Sequence, residues 1–157
     1  MFGECSRELV GDLSTKSSTD TLLLLSHLAA EIEEDYQART DEPPNSKFTP
    51  EELLELAHTL VPFLLSHNGE ADAVDLLLEL ESIHSIMPFV ADNTYARVCL
   101  YMMSCVNLLV PPDDREFLKC ARDIYRKHER YSQAMVCSLR LGDQEMIKED
   151  LMTPKNE

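Results

Sequence analysis

The sequence predicts an all-α protein made of antiparallel helical hairpins stacked as a short, irregular α-solenoid. Apolar residues recur at helical spacing along most of the chain. Leu, Met and Ala are plentiful, whereas only 4 of the 157 residues are Gly. No run of alternating β-branched residues predicts a strand. A chain of this length can bury one core, so we expect a single helical-repeat domain over residues 1–157.

The N-terminal part is predicted to hold one long helix. A short helical pattern at residues 4–10 comes first, and Gly11 is suited to end it. Asp20 is suited to cap a helix that runs to about residue 39. A proline-containing loop follows at residues 40–48. The residues expected to face the core lie at every fourth position, at Leu24, Leu28, Ile32 and Tyr36, and Leu25 and Ala29 widen that stripe.

The clearest helix start is the run Thr49-Pro50-Glu51-Glu52. Thr49 can cap the helix, Pro50 fits the first helical position, and Glu52 completes a capping box. Asn68-Gly69 is a stop signal. The next helix, at about residues 70–82, follows so closely that the two must form an antiparallel hairpin.

The same pattern continues to the C-terminal end. Apolar residues nearly surround residues 93–107, which indicates a helix packed between others, and Leu100 and Val106 are expected to be buried there. Pro, Ser and Gly mark short connections between the helices. The predicted helices cover about residues 93–109, 113–129, 133–141 and 144–152.

Acidic residues dominate the charge and are unevenly placed. The net charge is −15, which argues against a nucleic-acid partner and against an anionic membrane surface. Residues 17–96 hold 16 acidic side chains and 2 basic ones, whereas residues 97–157 hold 10 of each. The first part either meets a basic partner or simply keeps the protein in solution. No apolar run is long enough to span a bilayer.

No motif predicts an enzyme, a cofactor or a metal site. The four glycines are isolated, so a phosphate-binding loop is absent. Five cysteines form no close pair and are expected to be reduced and mostly buried. Cys120, near Lys119 and Arg122, comes closest to a reactive thiol. The paired carboxylates lie at helix starts or on solvent faces, where capping and solubility explain them.

Four basic residues form the candidate docking site. The spacing of four, three and four places them on one helix face. A partner-docking stripe and a face of internal ion pairs explain the pattern equally well. The residues are Arg115, Lys119, Arg122 and Arg126.

A series of collinear short motifs resembles the N-terminal helical region of the large non-ATPase scaffold subunits of the 26S proteasome base. The similarity is clear over residues 49–150 and weaker over residues 1–48. The strongest motifs are Tyr95-Ala96, Val98-Cys99-Leu100-Tyr101 and Ser104-Cys105-Val106-Asn107. Further matches are Val61-Pro62, His67-Asn68, Asp75-Leu76-Leu77, Cys120-Ala121 and Arg126-Lys127.

The resemblance implies a non-catalytic scaffold of the proteasome regulatory particle, acting in ubiquitin-dependent protein degradation. The implied partners are the base ATPases and other regulatory-particle subunits, in the cytoplasm and nucleus. Ubiquitin docking is not expected, because in that family it belongs to a ring of repeats that this chain lacks. The sequence therefore fits a fragment, a short isoform or a truncated gene product. The alternative is an unrelated helical-repeat adaptor that binds a peptide or a protein.

Overall fold

The computed structural model describes residues 18–41 and 49–152. The pattern at residues 4–10, Gly11 and most of the expected loop lie outside these ranges. Within them the secondary structure is helical and no strand is found, so the all-α prediction is confirmed. The elements are α1 (Ser18–Asp41), α2 (Pro50–Ser66), α3 (Glu70–Glu79), a 3₁₀ helix (Ile83–Ile86), α4 (Tyr95–Cys105), α5 (Asp113–Lys127), α6 (Tyr131–Leu141) and α7 (Gln144–Met152).

The contacts divide the chain into two compact units, Met1–Glu81 and Ser82–Glu157. The expectation of one domain stays a prediction. In the first unit α1 contacts both α2 and α3. The core of this unit is aliphatic, and its fully enclosed side chains include Leu25, Leu60, Val61, Leu64, Val74, Leu76 and Leu77.

Two hydrogen bonds align α1 with α3. Ser26 Oγ donates to Asp72 Oδ2 at 2.7 Å, and Gln37 Nε2 donates to Glu79 Oε2 at 2.8 Å. The partners advance in the same direction along both helices, so α1 and α3 run parallel. The short connection from α2 makes α2 and α3 an antiparallel hairpin.

The ends of α2 confirm the predicted start and stop signals. Thr49 Oγ1 accepts from the Glu52 N–H at 3.3 Å, and Glu52 Oε2 accepts from the Thr49 N–H at 2.8 Å. At the other end Asn68 has φ 62°, and the Gly69 N–H donates to the Leu64 carbonyl at 2.8 Å. This left-handed residue and the bond across it close the helix and turn the chain back.

The first helix differs from its prediction in two respects. It begins at Ser18, so Asp20 lies in the first turn rather than capping the helix. Leu25, Ala29 and Ile32 are buried as expected, but Leu24, which was also expected to face the core, is 41% exposed. The run of four leucines at residues 22–25 is apolar on every side, which leaves the direction of the core undefined by sequence.

The second unit is a succession of helices in which each contacts the next. Contacts join α4 to α5, α5 to α6 and α6 to α7, and α5 also contacts the 3₁₀ helix. Glu129 has φ 57° between α5 and α6, and the Arg130 N–H donates to the Tyr125 carbonyl at 2.7 Å. This is the same closure as at Asn68. The fully enclosed side chains here include Ile86, Val98, Cys99, Met102, Phe117, Cys120, Ile124 and Cys137.

Three contacts place α4 and α6 side by side. Arg130 Nε donates to the Tyr95 hydroxyl at 2.8 Å at one end. Cys137 Sγ lies 3.7 Å from Met103 Sδ in the middle. At the other end Arg140 Nη2 donates to Asn107 Oδ1 at 2.7 Å. The partners are 35, 34 and 33 residues apart, so α4 and α6 run parallel at a spacing typical of helical repeats.

The burial predicted for α4 is only partly correct. Val106, just after the helix, is 6% exposed as expected, but Leu100 is 69% exposed. The helix packs through Val98, Cys99 and Met102, and the neighbouring helices leave its opposite face uncovered. Apolar residues all round a helix are typical of full burial, but here one apolar face is left at the surface.

Candidate interaction site

The basic stripe lies on α5, and the charges of that helix follow its dipole. Asp113, Asp114 and Glu116 occupy the first turn, and Arg126 and Lys127 the last. Acidic groups near the N-terminus and basic groups near the C-terminus both stabilise a helix. The stripe crosses this gradient from one end to the other, so its members lie in different surroundings.

Arg122 is buried and binds a buried carboxylate. Its Nε donates to Asp150 Oδ2 at 3.0 Å, and its Nη2 donates to Asp150 Oδ1 at 2.9 Å. The Arg122 side chain is 6% exposed and that of Asp150 is 0% exposed. In this bidentate pair, two N–H groups on one edge of the planar guanidinium match the two oxygens of the carboxylate.

Further groups complete the network around this pair. Ser138 Oγ, on α6, donates to Asp150 Oδ2 at 2.5 Å. Arg122 Nη2 also reaches Glu149 Oε2 at 2.6 Å. Arg126 donates to both acidic residues, reaching Glu149 Oε1 at 3.1 Å. The network joins α5 and α6 to the short C-terminal helix α7.

Burial and hydrogen bonding act in opposite directions on these charges. Burial alone would raise the pKa of Asp150, but the bonds from Arg122, Ser138 and Arg126 hold that pKa below its usual range. Burial alone would lower the pKa of Arg122, but Asp150 and Glu149 raise it. Both members therefore stay charged at neutral pH, and the pair is an internal ion pair.

The other two members of the stripe lie towards solvent. Lys119 Nζ donates to Glu116 Oε1 at 2.7 Å, one turn away on the same helix. His84 Nε2 lies 3.0 Å from the second oxygen of that carboxylate. Bonds from Lys119 and then His84 lower the pKa of Glu116. Arg115 is exposed and makes no ion pair within the described ranges.

The stripe is thus divided between two structural situations. Arg122 and Arg126 form the internal face of ion pairs that the spacing also allowed, and Arg115 and Lys119 face outwards. A docking role for the stripe stays a prediction. Glu149 and Asp150 of α7 were not predicted as partners of the stripe, although one feature of the sequence indicates that Asp150 is buried. Asp150 lies three and four positions after Ile147 and Met146, in the apolar pattern of α7, where an acid requires a buried partner.

The buried thiols lie in surroundings opposite to those that activate a nucleophile. Cys120 is 0% exposed, and its Sγ lies 3.7 Å from the Ile83 carbonyl. Burial raises the pKa of Cys120 to about 12 and that of Cys137 to about 11. Burial also raises the pKa of Cys99. An activated thiol needs a lowered pKa and access to solvent.

A second polar cluster supports the ends of α4 and α6. The rings of Tyr95 and His128 stack, with centroids 4.4 Å apart and planes 14° apart. His128 Nδ1 lies 2.8 Å from Asp92 Oδ1. Arg130, which bonds to the Tyr95 hydroxyl, also lies 5.8 Å from the centre of that ring. These contacts hold the α5–α6 turn against the start of α4.

The described parts of the chain contain neither a metal-binding cluster nor a membrane-spanning helix. Within residues 18–41 and 49–152, no group of three or more His, Cys, Asp or Glu side chains is arranged to hold a metal ion. None of the helices described there has the length and apolar character needed to cross a membrane.

Comparison with known proteins gives a consistent result. A family model described as the RPN1 N-terminal domain matches residues 24–157. The chain is 49% identical over 124 residues to the 26S proteasome regulatory subunit rpn1 of Schizosaccharomyces pombe. It is 50% identical over 126 residues to the regulatory subunit rpn-1 of Neurospora crassa. It is 38% identical over 123 residues to the 26S proteasome non-ATPase regulatory subunit 2 of Dictyostelium discoideum.

The alignments cover most of this chain but little of its relatives. They include 78 to 79% of this chain and 13 to 14% of the three relatives. The family match begins at residue 24, within α1, and so takes in helices of both compact units.

Proposed function

The chain belongs to the RPN1 N-terminal domain family, and from that premise we propose that it is a non-catalytic scaffold module of the 26S proteasome regulatory particle. It would act there in ubiquitin-dependent protein degradation. The observation that carries the proposal is the match over residues 24–157 to proteins named as proteasome regulatory subunits. Membership of the family argues against an unrelated adaptor.

Several features of the described residues support a scaffold role. The buried thiols have raised pKa values, and the charged groups of α5 and α7 neutralise one another internally. The helices instead present broad surfaces, which is how helical-repeat proteins bind their partners. A surface of this kind holds other subunits in place and does no chemistry of its own.

The proposed partners are the base ATPases and other regulatory-particle subunits. Arg115 and Lys119 are the members of the basic stripe to test first, because Arg122 and Arg126 are engaged with α7. We expect free ubiquitin to bind weakly or not at all. The proposed compartments are the cytoplasm and the nucleus.

Affinity purification of the tagged 157-residue chain from cells tests this proposal. We expect the base ATPases to co-purify. Reversing both outward charges (Arg115→Glu with Lys119→Glu) should slow association and alter its salt dependence, because exposed charges steer encounter. Lys148→Glu, which reverses an exposed charge on α7, is the matched control.

Two results would contradict the proposal. One is the absence of base ATPases from the purified material although the chain is folded by circular dichroism. The other is tight binding of free ubiquitin by the isolated chain in a buffer where the ATPases do not associate. If the ATPases bind but the double reversal has no effect, the scaffold role stands and the basic stripe is excluded as its docking face.

A further inference from the structure

The surface between α4 and α6 differs in charge from the rest of this acidic protein. Neither helix contains an Asp or a Glu, although the whole chain has 29 acidic residues against 14 basic ones. The residues from 93 to 112 and from 130 to 142 are likewise free of acids, and the cations at the contacts between the two helices are Arg130 and Arg140. In a chain of net charge −15, this is a local positive region.

A groove runs along this surface because α4 and α6 are parallel. The contact between Met103 and Cys137 forms its floor. Leu100 lies one turn before Met103 on the uncovered side of α4 and is 69% exposed. On α6, Val136 is 49% exposed and lies one turn before Arg140, which bonds to Asn107 at the end of α4. The two side chains therefore give the groove an apolar wall on each side.

Cations mark both ends of the groove. Arg130 is held at one end by the Tyr95 hydroxyl, and Arg140 at the other by Asn107. Both are exposed, and both bonds are to neutral groups, so neither cation is neutralised by these contacts. One acid, Asp92, lies near the Tyr95 end of the groove, where its carboxylate binds His128. The bonds fix the positions of the cations and leave their charge available to a partner.

We propose that the groove between α4 and α6 binds an acidic amphipathic helix of a partner protein. The apolar stripe of that helix would cover Leu100, Met103 and Val136, and its Asp or Glu side chains would meet Arg130 and Arg140. The 11 residues of α4 span about 16 Å, so three turns of a partner helix fill the groove. A helix seated between two others is a recurring mode of recognition. The inference holds whichever assembly contains the chain.

Charge complementarity selects this occupant. A basic segment would meet cations at both ends of the groove, and a purely apolar one would leave them without counter-charges. A nucleic acid would have to approach a chain whose net charge is −15. An acidic amphipathic segment alone satisfies the apolar walls and the two ends together.

The test uses the full 157-residue chain and labelled synthetic peptides of about 14 residues, or four helical turns. One peptide carries Leu at helical spacing with Glu beside the stripe. A second has Lys in place of each Glu, and a third has the first composition in scrambled order. Fluorescence anisotropy measures affinity, and amide chemical shifts locate the site. We expect the Glu peptide to bind about tenfold more tightly than either control and to shift α4 and α6.

Variants of the chain provide the second half of the test. Leu100→Ser with Val136→Ser, and separately Arg140→Glu, should each weaken binding of the Glu peptide about tenfold. Leu23→Ser, at a position 65% exposed on α1, and Lys148→Glu on α7 should leave it unchanged. Circular dichroism checks that each variant is folded.

Four outcomes would overturn the proposal. They are no binding of the Glu peptide, equal binding of the Lys peptide, binding that the groove variants leave unchanged, and self-association of the chain abolished by the Leu100 and Val136 substitutions. The last would make a second copy the occupant. Each of these can occur while base ATPases still co-purify, so failure here is distinguishable from failure of the scaffold proposal.

Discussion

Asp150 and Arg122 form a two-armed ion pair in which the carboxylate is fully enclosed and the guanidinium nearly so. The pair joins the last described helix, α7, to α5. Ser138 adds a hydrogen bond from α6, so three helices meet at one carboxylate. Its charge therefore depends on partners that lie 28 and 12 residues away in sequence.

Removing one member of this pair should strongly destabilise the chain. Arg122→Ala leaves Asp150 enclosed with fewer partners, and we expect a loss of about 3 to 5 kcal/mol in the free energy of unfolding. The double variant Arg122→Met with Asp150→Leu should recover much of that loss, because no buried charge remains. Urea unfolding followed by circular dichroism measures both. A single variant as stable as the parent would show that the pair is not buried in solution.

Acid should weaken the same helix contact. The bonds to Asp150 lower its pKa in the folded protein relative to the unfolded chain. Their contribution is therefore fully present above the unfolded pKa and is lost as the pH falls through the folded pKa. We expect the free energy of unfolding to drop as the pH falls below about 4, and the drop to be smaller in Asp150→Asn. Equal drops in the two proteins would exclude Asp150 as a source of the pH dependence.

Two aliphatic residues in α4 provide a matched test of burial. Val98 is 0% exposed and Leu100 is 69% exposed, although only one residue separates them. Val98→Asp buries an unpaired carboxylate, so it should destabilise the chain by several kcal/mol, on the order of 3. Leu100→Asp should change stability by about 0.5 kcal/mol or less. Urea midpoints in the opposite order would reverse the assigned faces of α4.

The capping box of α2 should make a smaller contribution. Thr49→Ala removes the side-chain acceptor for the Glu52 N–H and should cost about 1 kcal/mol. Thr59→Ala is the control, because Thr59 is exposed in the same helix and its hydroxyl bonds only to the Glu55 carbonyl one turn back. Equal thermal shifts in the two variants would assign no special role to the cap.

The cysteines should differ in reactivity. Cys99, Cys120 and Cys137 are 0% exposed, and burial raises the pKa of each. Cys105 is half-buried and lies beside the exposed Ser104. With iodoacetamide at neutral pH, Cys105 should react before the three buried thiols, which should react only after unfolding. Peptide mapping by mass spectrometry assigns the sites, and early labelling of Cys120 would contradict this order.

Sequence identifies helices in this chain more reliably than it identifies their faces. The start of α2 and both bounds of α7 were predicted, because caps, glycines and prolines act locally. The exposure of Leu100 and of Leu24 depends on which neighbours cover a helix, and a segment that is apolar on all sides carries no such information.

The candidate site was predictable to a similar extent. Regular spacing placed Arg115, Lys119, Arg122 and Arg126 on one helix, and it allowed both docking and internal ion pairs. The division between them is set by α7, whose acids come some thirty residues later. Only the tertiary structure brings Glu149 and Asp150 to two of the four cations. An acid within an apolar helical pattern is the one local sign of that contact.

The ion-pair network also affects when the α5–α6 hairpin can close during synthesis of the chain. The ribosome makes α5 and α6 before α7, so Arg122 and Arg126 emerge well before Glu149 and Asp150. Before Glu149 and Asp150 are made, Arg122 and Arg126 have no carboxylates from α7 to pair with. Burying Arg122 at that stage would carry a large desolvation penalty. The hairpin must therefore remain open on that side during elongation. A chain truncated just before residue 149 should accordingly be more sensitive to protease than the full 157-residue chain.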